Sequence, residues 1–153
     1  MQRMLFLLYF LFITQITFNF KKTYYMSNLI EQSFSKVEEN KEFFVKNFYS
    51  DLFELAPELE HLFKNTSKER QGEKLYEALV LLVENLESPE VIKDMLKPLG
   101  RAHVGFGVQP KHYNVVGQCL ISSIKKLNGD NWNAEVEKAW LDTYGVVAKI
   151  MID

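Results

Sequence analysis

At 153 residues, 47% hydrophobic and 25% charged, the chain has the length and composition of one globular domain and not of a disordered segment. A formal net charge of -2 and the lack of a basic stripe leave no electrostatic case for a nucleic-acid partner. The single cysteine, Cys119, excludes an internal disulfide, and its neighbours Val115, Val116 and Leu120 predict an inert buried thiol.

The first 25 residues differ from the rest. "MLFLLYFLFI", residues 4–13, is solidly apolar; "TQITFNF" follows it, Arg3 precedes it, and Lys21 and Lys22 close it. Three readings stand side by side. As the apolar part of a signal peptide it lacks a small-x-small cleavage site. As a membrane span, Met4–Phe20 is short at 17 residues, four of them polar. As upstream sequence it would precede a true start at Met26. The expected division is an apolar extension over 1–25 and one domain over 26–153, with 15 basic against 20 acidic residues left in the domain. A cytoplasmic location is expected, with targeting or membrane attachment only if the extension is retained.

From residue 27 onward every stretch reads as helix, and no alternating polar–apolar run predicts a strand. The first long helix is expected from about Asn28 to Leu55, with Phe44, Val45, Phe48, Leu52 and Phe53 on its apolar stripe. Pro57 opens a short helix over "PELEHLF", and "KNTSK" is a polar connection. A second long helix runs from about Lys68 to Leu86, burying Leu75, Ala78, Leu79, Leu82, Val83 and Leu86. In "ESPE", Ser88 is placed as the N-cap of the next helix, with Pro89 behind it. Pro98 then either kinks that helix or starts another ending at Gly105. Two last helices, about 111–128 and 133–151, are joined by "NGDNW". No repeat or linker interrupts this all-α domain.

Three polar residues fall on apolar faces. His103 lies four residues after Leu99 and seven after Leu96; Gln71 lies four before Leu75; Tyr49 sits between Val45 and Leu52. A buried polar group costs roughly 1–3 kcal/mol unless it finds a partner. Each has an ordinary explanation: a core histidine on a backbone carbonyl, a tyrosine reaching a carbonyl, a glutamine solvated at a helix start. Three on three separate helices suggest convergence on one ligand. No zinc motif and no glycine-rich phosphate loop is present. One nitrogen ligand holds a bare ion poorly, but it suffices for a cofactor that brings four nitrogens of its own, which is haem.

These segments resemble globins, in particular the globin domain of flavohaemoglobins and bacterial single-domain globins, over about residues 28–152. "FYSDLFELAPELEHLF" resembles their B–C region, "RQGEKLYEAL" the start of helix E, "LGRAHVGFGVQPKHY" helix F and its corner, and "VEKAWLDTYGVVAKIM" helix H. The resemblance implies an all-α globin fold, helices A–H in a three-over-three sandwich around one haem b, iron protoporphyrin IX. It implies His103 as the proximal iron ligand and Tyr49 and Gln71 as distal donors to the gas. Phe63, Leu75, Lys74, Leu99, Phe106 and Val108 are implied as haem contacts, Lys74 through a propionate. His61 and His112 are given no role at the iron. Gly105 and Gly107 are expected to end helix F through positive φ, and the second ring nitrogen of His103 to donate to the Leu99 carbonyl.

The function implied is reversible binding of oxygen, and of carbon monoxide and nitric oxide, at high affinity through the Tyr/Gln pair. The alternative is a nitric oxide dioxygenase served by a separate reductase. Two departures weigh against the enzyme: no flavin or nicotinamide domain follows Asp153, and the glutamate that flavohaemoglobins place beside the proximal histidine would fall beyond it, although Tyr113 matches their proximal tyrosine. Ligand binding is therefore placed first.

Overall fold

In the computed structural model, which describes residues 2–64 and 66–153, the amphipathic periodicity builds six α-helices and two short 3-10 turns. They are α1 (Gln2–Glu39), α2 (Lys41–Leu55), a 3-10 turn (Pro57–Phe63), α3 (Lys68–Glu84), α4 (Pro89–Gly105), α5 (His112–Asn128), a second 3-10 turn (Gly129–Asn131) and α6 (Ala134–Ile152). Among the described residues there is no strand. The side chains of 2–12, 16, 18 and 20 lie outside the description, and with them nearly all of the apolar run 4–13. Among the described residues no helix is long and apolar enough to cross a membrane.

The contacts sort the helices into two layers. One holds α2, α5 and α6, with α5 packed on both others; the other holds α1, α3 and α4. α1 crosses onto α5 and α6, α3 onto α2, and α4 onto α6. The main core, around Trp140, Phe34, Phe44, Ile30, Leu52 and Ile124, joins every helix except α4. A smaller cluster of Leu82, Ile92, Leu96, Tyr113 and Met151 sits under α4. A buried polar knot ties the ends together: the Trp140 indole N–H donates to Ser33 Oγ at 2.8 Å, and the Asn128 amide donates to the Ser33 carbonyl at 3.0 Å.

Several expected boundaries need correction. The helix expected from Asn28 to Leu55 begins far earlier and is cut at Asn40, whose side-chain amide donates to the Lys36 carbonyl at 3.0 Å and closes α1. The helix expected to reach Leu86 ends at Glu84, because the Asn85 amide captures the Leu81 carbonyl at 2.8 Å. Ala78 is exposed and not part of the buried stripe. Ser88 stands at the expected N-cap, yet its side chain makes no capping bond. Pro98 is absorbed inside one continuous α4. It starts no new helix, and at that point α4 lacks one hydrogen bond and carries the proline ring against the Asp94 carbonyl.

Candidate functional site

Tyr49 comes from the middle of α2 and is 8% exposed. Aromatic neighbours fix its ring: Phe48 and Phe63 meet it edge-on at 5.0 and 5.6 Å between centroids, and Phe53 lies stacked at 5.8 Å. Burial alone pushes its hydroxyl from the ordinary 10.0 up to about 12, so it stays a neutral donor at any physiological pH. Among the described residues this hydroxyl has no hydrogen-bond partner. The ring is buried but the hydroxyl is not fully enclosed, since the one fully buried side-chain atom without a partner among the described residues is Ser123 Oγ; an unpaired donor at such an opening is placed to meet a small ligand.

Gln71 lies in the first turn of α3 and is half-buried. The turn is fixed by Ser67, whose hydroxyl accepts from the Arg70 N–H at 3.1 Å and whose carbonyl accepts from the Gln71 N–H at 3.1 Å. Beside it, Gly72 lets α3 press against α2: a Cβ there would collide with Val45 Cγ1 and lie 3.4 Å from Cγ2. Val45 is one turn before Tyr49, so this crossing sets the distal tyrosine and glutamine relative to each other. Gly72 is a positioning residue that the sequence reading missed; a small residue directly beside a candidate ligand contact was the available signal.

His103 is half-buried in the last turn of α4. Its Nδ1 lies 2.8 Å from the Leu99 carbonyl oxygen. A carbonyl only accepts, so Nδ1 carries a proton, and the bond turns Nε2 away from its own helix. The helix then closes on the histidine itself. The Gly107 N–H donates to the Val104 carbonyl and the Val108 N–H to the His103 carbonyl, both at 3.0 Å. This is the paired capping pattern that needs a left-handed residue, supplied by Gly107 at φ 87. The expectation for Gly105 is corrected: it is the last helical residue, and only Gly107 has positive φ in this corner.

The other two histidines are occupied locally. His61 is exposed, with Nδ1 against the Glu58 carbonyl oxygen. His112 Nδ1 accepts the Gln109 N–H at 3.1 Å and so stitches the corner to α5. Of the remaining candidates, Phe63 and Leu75 are half-buried against the main core, and Val108 against the smaller one. Leu99 is 36% exposed, Phe106 is 73% exposed, and Lys74 is exposed. The structure thus places Phe63 and Leu75 on the main core and Val108 on the smaller one, and turns Leu99, Phe106 and Lys74 toward solvent. Among the described residues no group of three His, Cys, Asp or Glu is placed to hold a bare ion. A single half-buried imidazole with Nδ1 spent on its own helix fits a macrocycle that supplies the other ligands itself. A groove of about 290 Å³ between α1 and α3, lined by Glu31, Phe34, Glu38, Val80, Val83 and Glu84, lies elsewhere.

Comparison with known proteins bears on the family and the fold. The family model described as "Globin" matches residues 46–151. A flavohemoprotein of Rhizobium meliloti is 35% identical over 109 residues, which cover 70% of this chain but 27% of that protein. The chain therefore spans less than a third of that relative's length. A bacterial globin from Campylobacter jejuni superposes with a TM-score of 0.71 at 31% identity, covering 84% of this chain and 92% of the other. An engineered carbene transferase from a Rhodothermus marinus protein read as a nitric oxide dioxygenase superposes with a TM-score of 0.72 at 26% identity, covering 82% and 87%.

Proposed function

The chain belongs to the globin family, and from that premise we propose that it binds one haem b through His103 and holds diatomic gases beneath Tyr49 and Gln71. The observation that carries this reading is the Nδ1 bond of His103 to the Leu99 carbonyl at 2.8 Å, which fixes the ring and turns Nε2 outward, the orientation a haem-ligating imidazole needs. Haem supplies an iron whose fifth position takes a neutral imidazole and whose sixth takes a small gas.

The chain's own residues do the rest. Phe63, Leu75, Leu99, Phe106 and Val108 cover the macrocycle and keep water out, and Lys74 is free to reach a propionate. The Tyr49 hydroxyl, a neutral donor with no competing partner, points its proton at the gas, and the Gln71 amide adds a second donor or orients the first. Such donors favour oxygen, which draws negative charge when held, over carbon monoxide, which draws little. The result is high oxygen affinity with slow release, suited to scavenging, sensing or storage at low oxygen. The same reading puts the domain, residues 26–153, in the cytoplasm, with membrane attachment only through residues 1–25.

Absorption spectra of the purified protein in ferric, ferrous and carbon monoxide-treated forms test this. One haem per chain with an imidazole-type spectrum is expected, lost in His103→Ala and kept in His61→Ala and His112→Ala. Stoichiometric haem and an unchanged spectrum in His103→Ala would overturn the assignment.

The likeness to flavohemoproteins and to the Rhodothermus marinus protein favours a second reading, nitric oxide dioxygenation with a separate reductase. The distal donors that slow oxygen escape would also hold oxygen for attack by nitric oxide, so the two readings share one site and differ only in turnover.

A further inference from the structure

The helix that bears His103 has one substantial neighbour, α6. A close approach in that contact is at Gly100, buried on α4 three residues before His103. A Cβ at Gly100 would meet the Met151 carbonyl oxygen and lie 2.8 Å from its Cα and 2.9 Å from its carbonyl carbon. These are main-chain atoms of a helix, which cannot swing aside as a side chain would.

We propose that Gly100 is a positioning residue: α4 bears on the Met151 main chain at this point, and the closeness of that contact sets how far His103 Nε2 reaches toward the iron. The inference rests on His103 as the axial ligand. One helical turn separates Gly100 from His103, so a displacement at the contact passes almost undiminished to the ring. The ring cannot compensate by rotating, because Nδ1 is tied to the carbonyl of Leu99, the residue just before Gly100. The capping bond to the His103 carbonyl from Val108 holds it from the other side.

The test is Gly100→Ala in the haem-loaded full chain, with Gly145→Ala as control, since the space around Gly145 on α6 is open. The readouts are the iron–histidine stretching band of the ferrous protein, the rate of haem transfer to an acceptor protein, and amide hydrogen exchange along α4 in haem-stripped protein. Gly100→Ala is expected to lower the band frequency, to speed haem loss roughly tenfold and to speed exchange over residues 99–105 with α2 and α5 unchanged. Gly145→Ala should change none of these. If Gly100→Ala does not fold, deletion of residues 151–153 withdraws the same contact from the α6 side and is expected to shift the band. An unchanged band and haem-loss rate in folded Gly100→Ala, or an unchanged band in the deletion, would overturn the proposal. Failure of the wild-type chain to bind haem would instead overturn the axial role of His103.

Discussion

Tyr49 links stability and function through one proton. Burial raises its hydroxyl from 10.0 to about 12 in the folded chain. The stabilising difference is complete below pH 10 and is lost between pH 10 and about 12, where the unfolded tyrosine ionises and the folded one does not. A shift of that size corresponds to roughly 2–3 kcal/mol. Denaturant unfolding at pH 9 and pH 12 should show wild type losing about that much more stability than Tyr49→Phe. The same substitution keeps the ring and deletes the donor, so oxygen dissociation should speed up about 10- to 100-fold while carbon monoxide dissociation changes little. Equal acceleration of both gases would mean a steric effect and not a lost hydrogen bond. Cys119 gives a further check at this scale. It is fully buried, and burial, with Asp51 adding to it and Lys126 opposing, raises its thiol to about 11. A thiol reagent at pH 8 should leave the native protein unmodified and react promptly once it is denatured.

At the level of the helices, what the sequence predicted and what it missed have separate physical causes. α5 and α6 fall within a residue of expectation, because Asn128-Gly129 stops one and Asn133 starts the other by local chemistry. The Asn133 side chain accepts from the Glu135 and Val136 N–H groups at 2.9 and 3.0 Å. Asn133→Ala should therefore cost about 1 kcal/mol in thermal or denaturant unfolding, with the fold intact. The two missed stops, Asn40 and Asn85, share one device, an asparagine amide on the carbonyl four residues back. Asn47 makes the same bond in mid-α2 without stopping it, so the residue type alone could not have announced either end. The burial of Tyr49 was legible from its own helix face, whereas His103, expected on a buried face, is half-buried beside the exposed Leu99. Gly72 and Gly100 were not legible, since what makes them necessary is a chain segment far away in sequence. Gly72→Ala should destabilise by about 1–3 kcal/mol, and adding Val45→Ala should recover part of that in a double-mutant cycle. Additive losses would mean that the α2–α3 crossing does not depend on this contact.

For the molecule as a whole, the open question is whether bound gas is held or consumed. Loaded with oxygen, the 153-residue chain should oxidise nitric oxide once per haem, and NADH alone should not restore the ferrous form. Steady consumption of nitric oxide with NADH and no added reductase would put the dioxygenase reading first. The formal charge of -2 argues against guidance of a reductase by the overall field, so any docking should depend on local contacts and show weak salt dependence.

The dependence of α4 on α6 also bears on how the chain is made. During synthesis the segment bearing His103 emerges well before the helix it must rest on. The knot between Ser33 and Trp140 likewise waits for a residue 107 positions downstream. Nascent chains that stall after α5 would present an unsupported α4 and the uncovered apolar faces of α1 and α5 together, a surface that attracts chaperones and aggregation. Ribosome-bound chains halted before residue 134 should thus be protease-sensitive along α4, while chains that have released α6 should resist, even before any cofactor is met.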